Sequence, residues 1–434
     1  MRRSDLDDPV VIVGGGFSGA MLAARLAERG QASVLIDHSG DFGRGVAYST
    51  PFPGHLLNVR ADRMSAVEGR PGDFVDWLKA NAPDHADPDG FAPRALYGRY
   101  VQDRLATVEA AHPGLIRREV AEVAAVTEQG VRLVDGRTIT GAAVVLATGN
   151  PPPRTASGND RVLSDPWAPG ALDRIGESDD IVIVGTGLTM VDVIQALDAR
   201  GWTGRTAALS LKGLLPLAHG DGHDAPAALS AEAVSGPLSR RLKTARALSR
   251  RLGWRAVMEG YRPVTTALWA EATTAERARF LRHLRSWWDV HRHRIAPQMA
   301  QMLARLKDQG RLVVKAGPLD RIEAGERGVA VHWRPAAGGV AEPLNAAWAI
   351  DCTGPGHDPA THALTAPLIA AGRARLEPLG QGLDLDAEGR VRDATGRADG
   401  RLWILGPPAR AAYWETIAVP DIRKRIEIMV AALI

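Results

Sequence analysis

Apolar residues fall in short blocks along the chain, and the blocks follow two rhythms. Val10-Val11-Ile12-Val13 has no polar face, the pattern of a strand buried on both sides of a parallel sheet. Ala20-Met21-Leu22-Ala23-Ala24-Arg25-Leu26-Ala27 then reads as a helix, and Ala32-Ser33-Val34-Leu35-Ile36 as a second strand. The same order recurs at Ile181–Val184 and Thr206–Ser210. Helical spacing is found near Asp73–Ala80 and Tyr97–Ala110. Further strands are predicted at Ile116–Val126, Gly130–Leu133, Ala143–Leu146, Arg311–Lys315, Ile350–Cys352 and Leu402–Leu405. From Pro226 to Lys307 no strand pattern occurs; the stretch is helical and rich in Ala, Leu, Arg and Trp.

Glycines sit where the first strand meets its helix. Gly14 suits a tight turn, Gly16 lets the backbone approach a pyrophosphate, and Gly19 lets helix and strand pack closely. Phe17 and Ser18 complete the loop, and the helix N-terminus offers free N–H groups to phosphates. The second strand ends at Asp37, about twenty residues beyond Gly16, where an acid accepts from a ribose 2′-hydroxyl and repels a 2′-phosphate. The first site therefore takes FAD or NAD.

The second fingerprint, Gly185-Thr186-Gly187-Leu188-Thr189-Met190, lacks the third glycine, so its helix should stand further from its strand. Its following strand ends in Ser210, Leu211 and Lys212 rather than an acid. A hydroxyl and a cation there suit the 2′-phosphate of NADPH, although Lys212 also reads as a solvated surface lysine.

The chain thus predicts an α/β fold of two Rossmann-like three-layer dinucleotide-binding domains with a helical insertion. The expected divisions are an FAD-binding domain over 1–165 that returns over 351–434, and an NADP-binding domain over 176–225 and 308–350. The insertion, over 226–307, is a candidate substrate lid. Thr148-Gly149 and Thr353-Gly354 end the two crossing strands, and Asn150-Pro151-Pro152-Pro153-Arg154 is a stiff linker. Both crossings and Gly406 join the candidate cofactor contacts.

Composition narrows the chemistry. Length (434 residues) leaves room for several domains, and 45% hydrophobic with 24% charged content is that of a globular protein. A net charge of +3 is too small to argue for nucleic acid. No apolar run approaches a membrane span, and the start at Met1 lacks the apolar stretch of a signal peptide, so a cytoplasmic location is expected. Cys352 is the only cysteine and lies in an apolar run, so a buried thiol is expected and no dithiol can pass electrons onward.

With these segments placed, the chain resembles the bacterial FAD/NAD(P)-binding oxidoreductases. These are two-dinucleotide-binding flavoproteins related to the flavin-containing and N-hydroxylating monooxygenases. The resemblance rests on Gly43-Arg44-Gly45-Val46-Ala47-Tyr48, His55-Leu56-Leu57-Asn58-Val59, Pro93–Tyr100, Gly185–Thr189, Trp288–Arg294 and Trp414–Pro420. It implies FAD at the first site and NADPH at the second. Disulfide-reductase relatives carry an aspartate after the last strand's glycine, whereas Pro407 follows Gly406 here. The implied activity is monooxygenation of a small nucleophile, an amine above all, by O₂ through a C4a-(hydro)peroxyflavin. An NAD(P)H oxidase or reductase, a flavin dehydrogenase and a non-enzymatic flavin binder stay open, as does a homodimer.

No residue is compelled as acid, base or nucleophile. Asn58, Thr416 and His219 are flavin-proximal candidates, and Arg44, Asn58 and Ser65 lie on loops where FAD contacts are usual. Glu415-Thr416 should open a helix aimed at the flavin, or simply cap it. His291 and His293, two apart, point to different helix faces, so no metal site is expected. Arg292 and Arg294 read as substrate or phosphate ligands or as a solvated face. Trp254, Trp269, Trp287 and Trp288 read as core more readily than as a pocket, and Tyr97 and Tyr100 as packing.

Overall fold

A computed structural model describes residues 8–50, 52–151, 159–354, 356 and 358–434. Strands β1 (Val10–Val13), β2 (Ser33–Asp37) and β3 (Ile116–Val120) are followed by an antiparallel layer. That layer comprises β4 (Val123–Val126), β5 (Gly130–Leu133) and β6 (Thr138–Thr140), after which β7 (Ala143–Leu146) re-enters beside β1. Strand β1 lies between parallel partners, with Val11 opposite both Val34 and Val144, which is why its apolar run is unbroken. Helices α1 (Phe17–Ala27), α2 (Gly45–Tyr48), α3 (Asp73–Asn81) and α4 (Arg94–Ala111) follow in this part of the chain. Tyr97 and Tyr100 are fully buried there, as their packing role predicts.

The second unit contains β8 (Val162–Leu163), β9 (Ile181–Val184), α5 (Leu188–Ala199) and β10 (Thr206–Ser210). Seven helices come next: α6 (Ala231–Val234), α7 (Leu238–Leu252), α8 (Trp254–Tyr261), α9 (Thr265–Glu271), α10 (Thr274–His283), α11 (Arg285–Arg292) and α12 (Pro297–Asp308). The last of them packs under the sheet, where its Leu303 and Leu306 share a core with Ile181, Ile183 and Leu197. Then come β11 (Leu312–Ala316), an antiparallel layer of β12 (Leu319–Gly325), β13 (Gly328–Trp333) and β14 (Leu344–Ala346), and β15 (Trp348–Asp351). The five-stranded sheet runs β11-β10-β9-β15-β8.

The chain returns through α13 (Ala366–Ala370), β16 (Arg390–Arg392) and β17 (Ala398–Ile404) to complete the first sheet, in the order β16-β17-β7-β1-β2-β3. Helices α14 (Arg410–Tyr413) and α15 (Val419–Leu433) end it, with Ile422, Ile426 and Met429 packed in the core that α1 enters. Two parallel sheets, each with its glycine loop and helix, thus form the expected two-dinucleotide architecture.

Both loops turn by the same device. Gly14 has φ +107° and Gly185 φ +106°, and a Cβ at either would run into the carbonyl at the end of the neighbouring strand, Ala147 or Cys352. A Cβ at Gly19 would collide with the Gly14 carbonyl, whereas at the corresponding place the fully buried Met190 is accommodated.

Two expectations are corrected here. The predicted strand Ile116–Val126 is two strands. The helix expected at Glu415 begins at Val419, with Pro420 in its first turn, so Glu415 and Thr416 lie in the preceding turn. Pro152, Pro153 and Arg154 of the predicted linker lie outside the described residues.

Candidate functional site

The first loop presents a built cradle. Helix α1 is capped by Gly16 with no side-chain hydrogen bond, so no side chain competes with a phosphate for its first-turn N–H groups. Asp37 Oδ2 accepts from Gly15 N at 2.7 Å, and its Oδ1 accepts from Ser39 N at 2.9 Å and from Ser39 Oγ at 2.6 Å. The carboxylate at the end of β2 is therefore oriented before any ribose arrives. Phe17 packs edge-on to Tyr48, with ring centroids 6.5 Å apart. Ser18 is buried beneath Gly406, where a Cβ would meet its Oγ at 2.5 Å. These features fit the diphosphate and ribose of an adenine dinucleotide.

The second loop differs in the predicted direction. Helix α5 is capped by Gly187, again without a side-chain hydrogen bond. Thr186 Oγ1 bonds Ser210 Oγ at 2.8 Å, and Ser210 Oγ also accepts from Gly213 N at 3.1 Å, which fixes the end of β10. Lys212 follows, exposed, and no carboxylate of β10 is there to repel an anion. The residues fit a phosphorylated dinucleotide.

The two units meet around a cavity of about 430 Å³. Tyr48, Asn58 and Met64 line it from the first unit, Gly187, Leu188 and His219 from the second, and Ile417–Val419 from the return. The joint is held by a buried ion pair between Arg94 of α4 and Asp192 of α5, at 2.9 Å. Beside it, His55 Nε2 donates to the Asp192 carbonyl at 3.1 Å. That leaves His55 Nδ1 as an acceptor for the Thr50 hydroxyl, 2.7 Å away. Burial pulls the His55 pKa below its ordinary value, against the field of Asp192.

The insertion closes the cavity with charge. Arg63 Nη1 donates to Glu259 Oε2 at 2.7 Å, Arg294 donates to Glu259 Oε1, and Arg262 lies 3.5 Å from Glu259 Oε2. Burial alone would raise the Glu259 pKa, but Arg262, Arg63 and Arg294 outweigh it and hold it at about 2. Arg60 reaches the Gly222 carbonyl at 3.1 Å. His219 Nε2 donates to the Asn58 carbonyl at 3.0 Å, which in the neutral ring leaves Nδ1 as the acceptor. Burial, with Arg294 nearby, lowers its pKa to about 4.

The structure thus brings Asn58, His219, Gly187, Leu188, Arg292 and Arg294 to one cavity. Thr148 and Gly149 line a smaller one of about 90 Å³, which shares Asn150 and Arg410 with the first. Elsewhere the expected residues have local partners. Arg44 is paired with Asp41 at 2.7 Å. Ser65 is fully buried, its hydroxyl donating to Val67 O at 3.1 Å. Thr353 donates from N and Oγ1 to Asp351. Thr416 is buried, its Oγ1 at 3.5 Å from Gly406 O. Glu415 is the buried counter-ion of Arg292.

Two readings change. The solvated face proposed for Arg292 and Arg294 is ruled out, because both are buried by ion pairs. Instead of closing into a core, Trp254, Trp269, Trp287 and Trp288 surround an apolar cavity of about 530 Å³. Arg60, Arg63, Glu259 and Arg262 escaped notice because in sequence they look like ordinary solvated charges. His291 and His293 do not converge: His291 Nδ1 is 2.7 Å from Trp287 O, while His293 is held near Asp289. Cys352 is buried as expected, and burial pushes its thiol pKa up.

Residues 11–151 match the protein family described as FAD-NAD(P)-binding. Over 167 residues the chain is 32% identical to a tRNA uridine 5-carboxymethylaminomethyl modification enzyme, MnmG, of Granulibacter bethesdensis. That match covers 34% of this chain and 26% of the relative, so the chain spans about a quarter of that relative's length. The ornithine N-hydroxylase KtzI of Kutzneria sp. 744 superimposes with a TM-score of 0.67 at 16% identity, covering 98% of each chain. The cadaverine monooxygenase DfoA of Erwinia amylovora does so with a TM-score of 0.68 at 12% identity, covering 98% of this chain and 94% of its own. Likeness at such identity speaks for architecture alone: the chain has the fold of the two-dinucleotide-binding flavoproteins, with an FAD-NAD(P)-binding domain over 11–151.

Proposed function

We propose that the protein is an FAD-dependent, NADPH-reduced monooxygenase that N-hydroxylates a small amine, a cytoplasmic enzyme drawing on O₂. The observation that carries the reading is the 430 Å³ cavity, lined both by Asn58 beside the first fingerprint's domain and by Gly187-Leu188 of the second. A nicotinamide held at one loop would there reach a flavin held at the other. Bound FAD would supply hydride acceptance and oxygen activation, and the protein would supply orientation, water exclusion and charge.

In this reading Gly14, Gly16, Phe17, Ser18, Gly19 and Asp37 hold the adenine half of FAD. Gly185, Thr186, Gly187, Leu188 and Thr189 hold NADPH, with Ser210 and Lys212 at its 2′-phosphate. The neutral His219 offers a hydrogen-bond acceptor at the cavity wall. Support for an amine comes from the fold shared with the ornithine and cadaverine monooxygenases. The divisions at 1–165, 176–225, 226–307, 308–350 and 351–434, and a homodimer, are part of the same proposal.

A second reading, an NADPH oxidase that releases peroxide, rests on the charged lining of the cavity, Arg60, Arg63, Glu259 and Arg262 among it, which is poorly matched to an apolar substrate. One experiment separates them. NADPH is added anaerobically to the flavin-loaded protein and bleaching is followed. Oxygen is then admitted with a panel of amines including ornithine, lysine and cadaverine. Hydroxylamine formed at the expense of peroxide supports the monooxygenase. Stoichiometric peroxide with every amine overturns it in favour of the oxidase.

A further inference from the structure

The apolar cavity of the insertion shares no lining residue with the 430 Å³ cavity, and meets the smaller one at Thr148-Gly149 only through the wall of Trp269 and Trp414. Trp269 stacks on Trp414 with centroids 4.5 Å apart, and Phe280 closes edge-on against Trp414 at 5.2 Å and Trp288 at 5.9 Å. Packed on one another in this way, the rings form a rigid aromatic wall on one side of the space. Opposite them runs α7, which turns Leu238, Leu242 and Ala245 inward to the cavity yet buries no residue completely. The space, about 530 Å³, lies within the range of ligand-sized sites of roughly 300–1,000 Å³.

Charge is distributed unevenly around this apolar space. Arg241, Arg246, Arg250 and Arg277 line it, and Glu276 is the single acid that does. Arg277 is already spent on the carbonyls of Trp269 and Ala270. Arg241 is not: its Nε is buried and has no hydrogen-bond partner among the described residues, and its one carboxylate, Glu276, is 3.6 Å away. A buried donor without an acceptor is costly unless a ligand supplies one.

Backbone strain marks the same place. Trp414 has φ +59°, the only positive φ of a non-glycine residue among those described. Such a conformation is strained for a bulky residue and persists where the surroundings demand it. Here it holds the indole against Trp269 at the cavity floor.

We propose that this cavity binds an anionic amphiphile, a medium-chain carboxylic acid, with its chain between the wall of Trp254, Trp269, Trp288 and Phe280 and the apolar face of α7, and its carboxylate on Arg241 and Arg246. The site stands whatever reaction the cofactor cavity performs. In the test, the flavin-loaded protein is titrated with decanoate, decanol and decylamine by calorimetry and by tryptophan emission. Decanoate should saturate one site per chain. Decanol should bind about tenfold more weakly, the order of one charge-assisted hydrogen bond, and decylamine more weakly still. Arg241→Gln with Arg246→Gln should weaken decanoate and leave decanol unchanged. Ala245→Trp, which fills the space from a helix with no fully buried residue, should abolish both while circular dichroism and flavin content stay as they were. Equal binding of all three head groups, indifference to both variants, competition by NADP⁺, or capture by anionic vesicles in place of decanoate would each overturn the proposal.

Discussion

Arg292 Nη2 lies 3.0 Å from Glu415 Oε2, and the two side chains are 6% and 4% exposed. This buried pair joins the last turn of α11 to the turn before α15, and Trp288 Nε1 completes it by donating to Glu415 Oε1 at 2.9 Å. Burial alone would raise the Glu415 pKa, but Arg292, His293 and Trp288 outweigh it and hold it below its ordinary value. The insertion is thus pinned to the return of the chain by charge in a dry place.

Removing one member should therefore cost far more than a surface pair would. Arg292→Leu leaves Glu415 buried without its guanidinium and should destabilise the protein by about 3 kcal/mol or more. Arg292→Leu combined with Glu415→Leu should recover part of that loss, with Asp421, 3.8 Å from Arg292, the one acid left without that cation. Thermal unfolding of the two variants at neutral pH measures both. Equal losses in the single and the double variant would count against the pair.

His219 supplies a pH signature. Its folded-state pKa, about 4, lies below the usual value near 6.5, so between these limits the unfolded chain binds the extra proton. Its contribution is present above about pH 6.5 and is lost as the pH falls toward 4. His219→Gln keeps a donor for the Asn58 carbonyl and removes the titration. The variant's denaturant midpoint should fall less steeply than the parent's across that window, while parallel curves would refute the role.

Much of this architecture is legible in the residues, and the legible part has a local cause. Val10–Val13 and Ile181–Val184 are buried on both faces, so their runs carry no polar interruption, and each glycine loop must follow at once. The placement of Asp37 at the end of β2 and of Lys212 just beyond β10 follows from the short spacing of each strand from its loop. Glu415 misled because an acid followed by threonine looks like a helix opening. Pro420 was the better sign, since proline suits the first turn of a helix. The ion cluster on Glu259 could not be read, because Arg63 and Arg294 reach it from distant parts of the chain. Likewise the tryptophans have the spacing of a core, and only the placement of α7 across from α9 and α11 leaves them around a space.

The coenzyme preference should follow Lys212. If its ammonium meets the 2′-phosphate, Lys212→Ala should raise the KM for NADPH about tenfold and leave that for NADH nearly unchanged. Lys212→Glu should go further, since it restores the repulsion that Asp37 provides at the other loop. Steady-state kinetics with both coenzymes decide the matter, and equal effects on the two would remove Lys212 from the site.

The joint between the two units should respond to pH once its ion pair is broken. Asp192 is buried, and desolvation keeps its carboxyl pKa above the ordinary value even with Arg94 at 2.9 Å. In Arg94→Leu that carboxylate loses its cation, so its folded-state pKa must rise further. A carboxyl whose folded pKa exceeds the unfolded one destabilises the fold as pH rises through the unfolded value, near 3.9. The stability deficit of Arg94→Leu against the parent should therefore be small near pH 4 and widen toward pH 7. Asp192→Asn, added to the same background, should remove the pH dependence and leave a constant loss. Denaturant unfolding at several pH values checks this, and a deficit that stays flat in the single variant would mean that Arg94 holds the joint by packing rather than by charge.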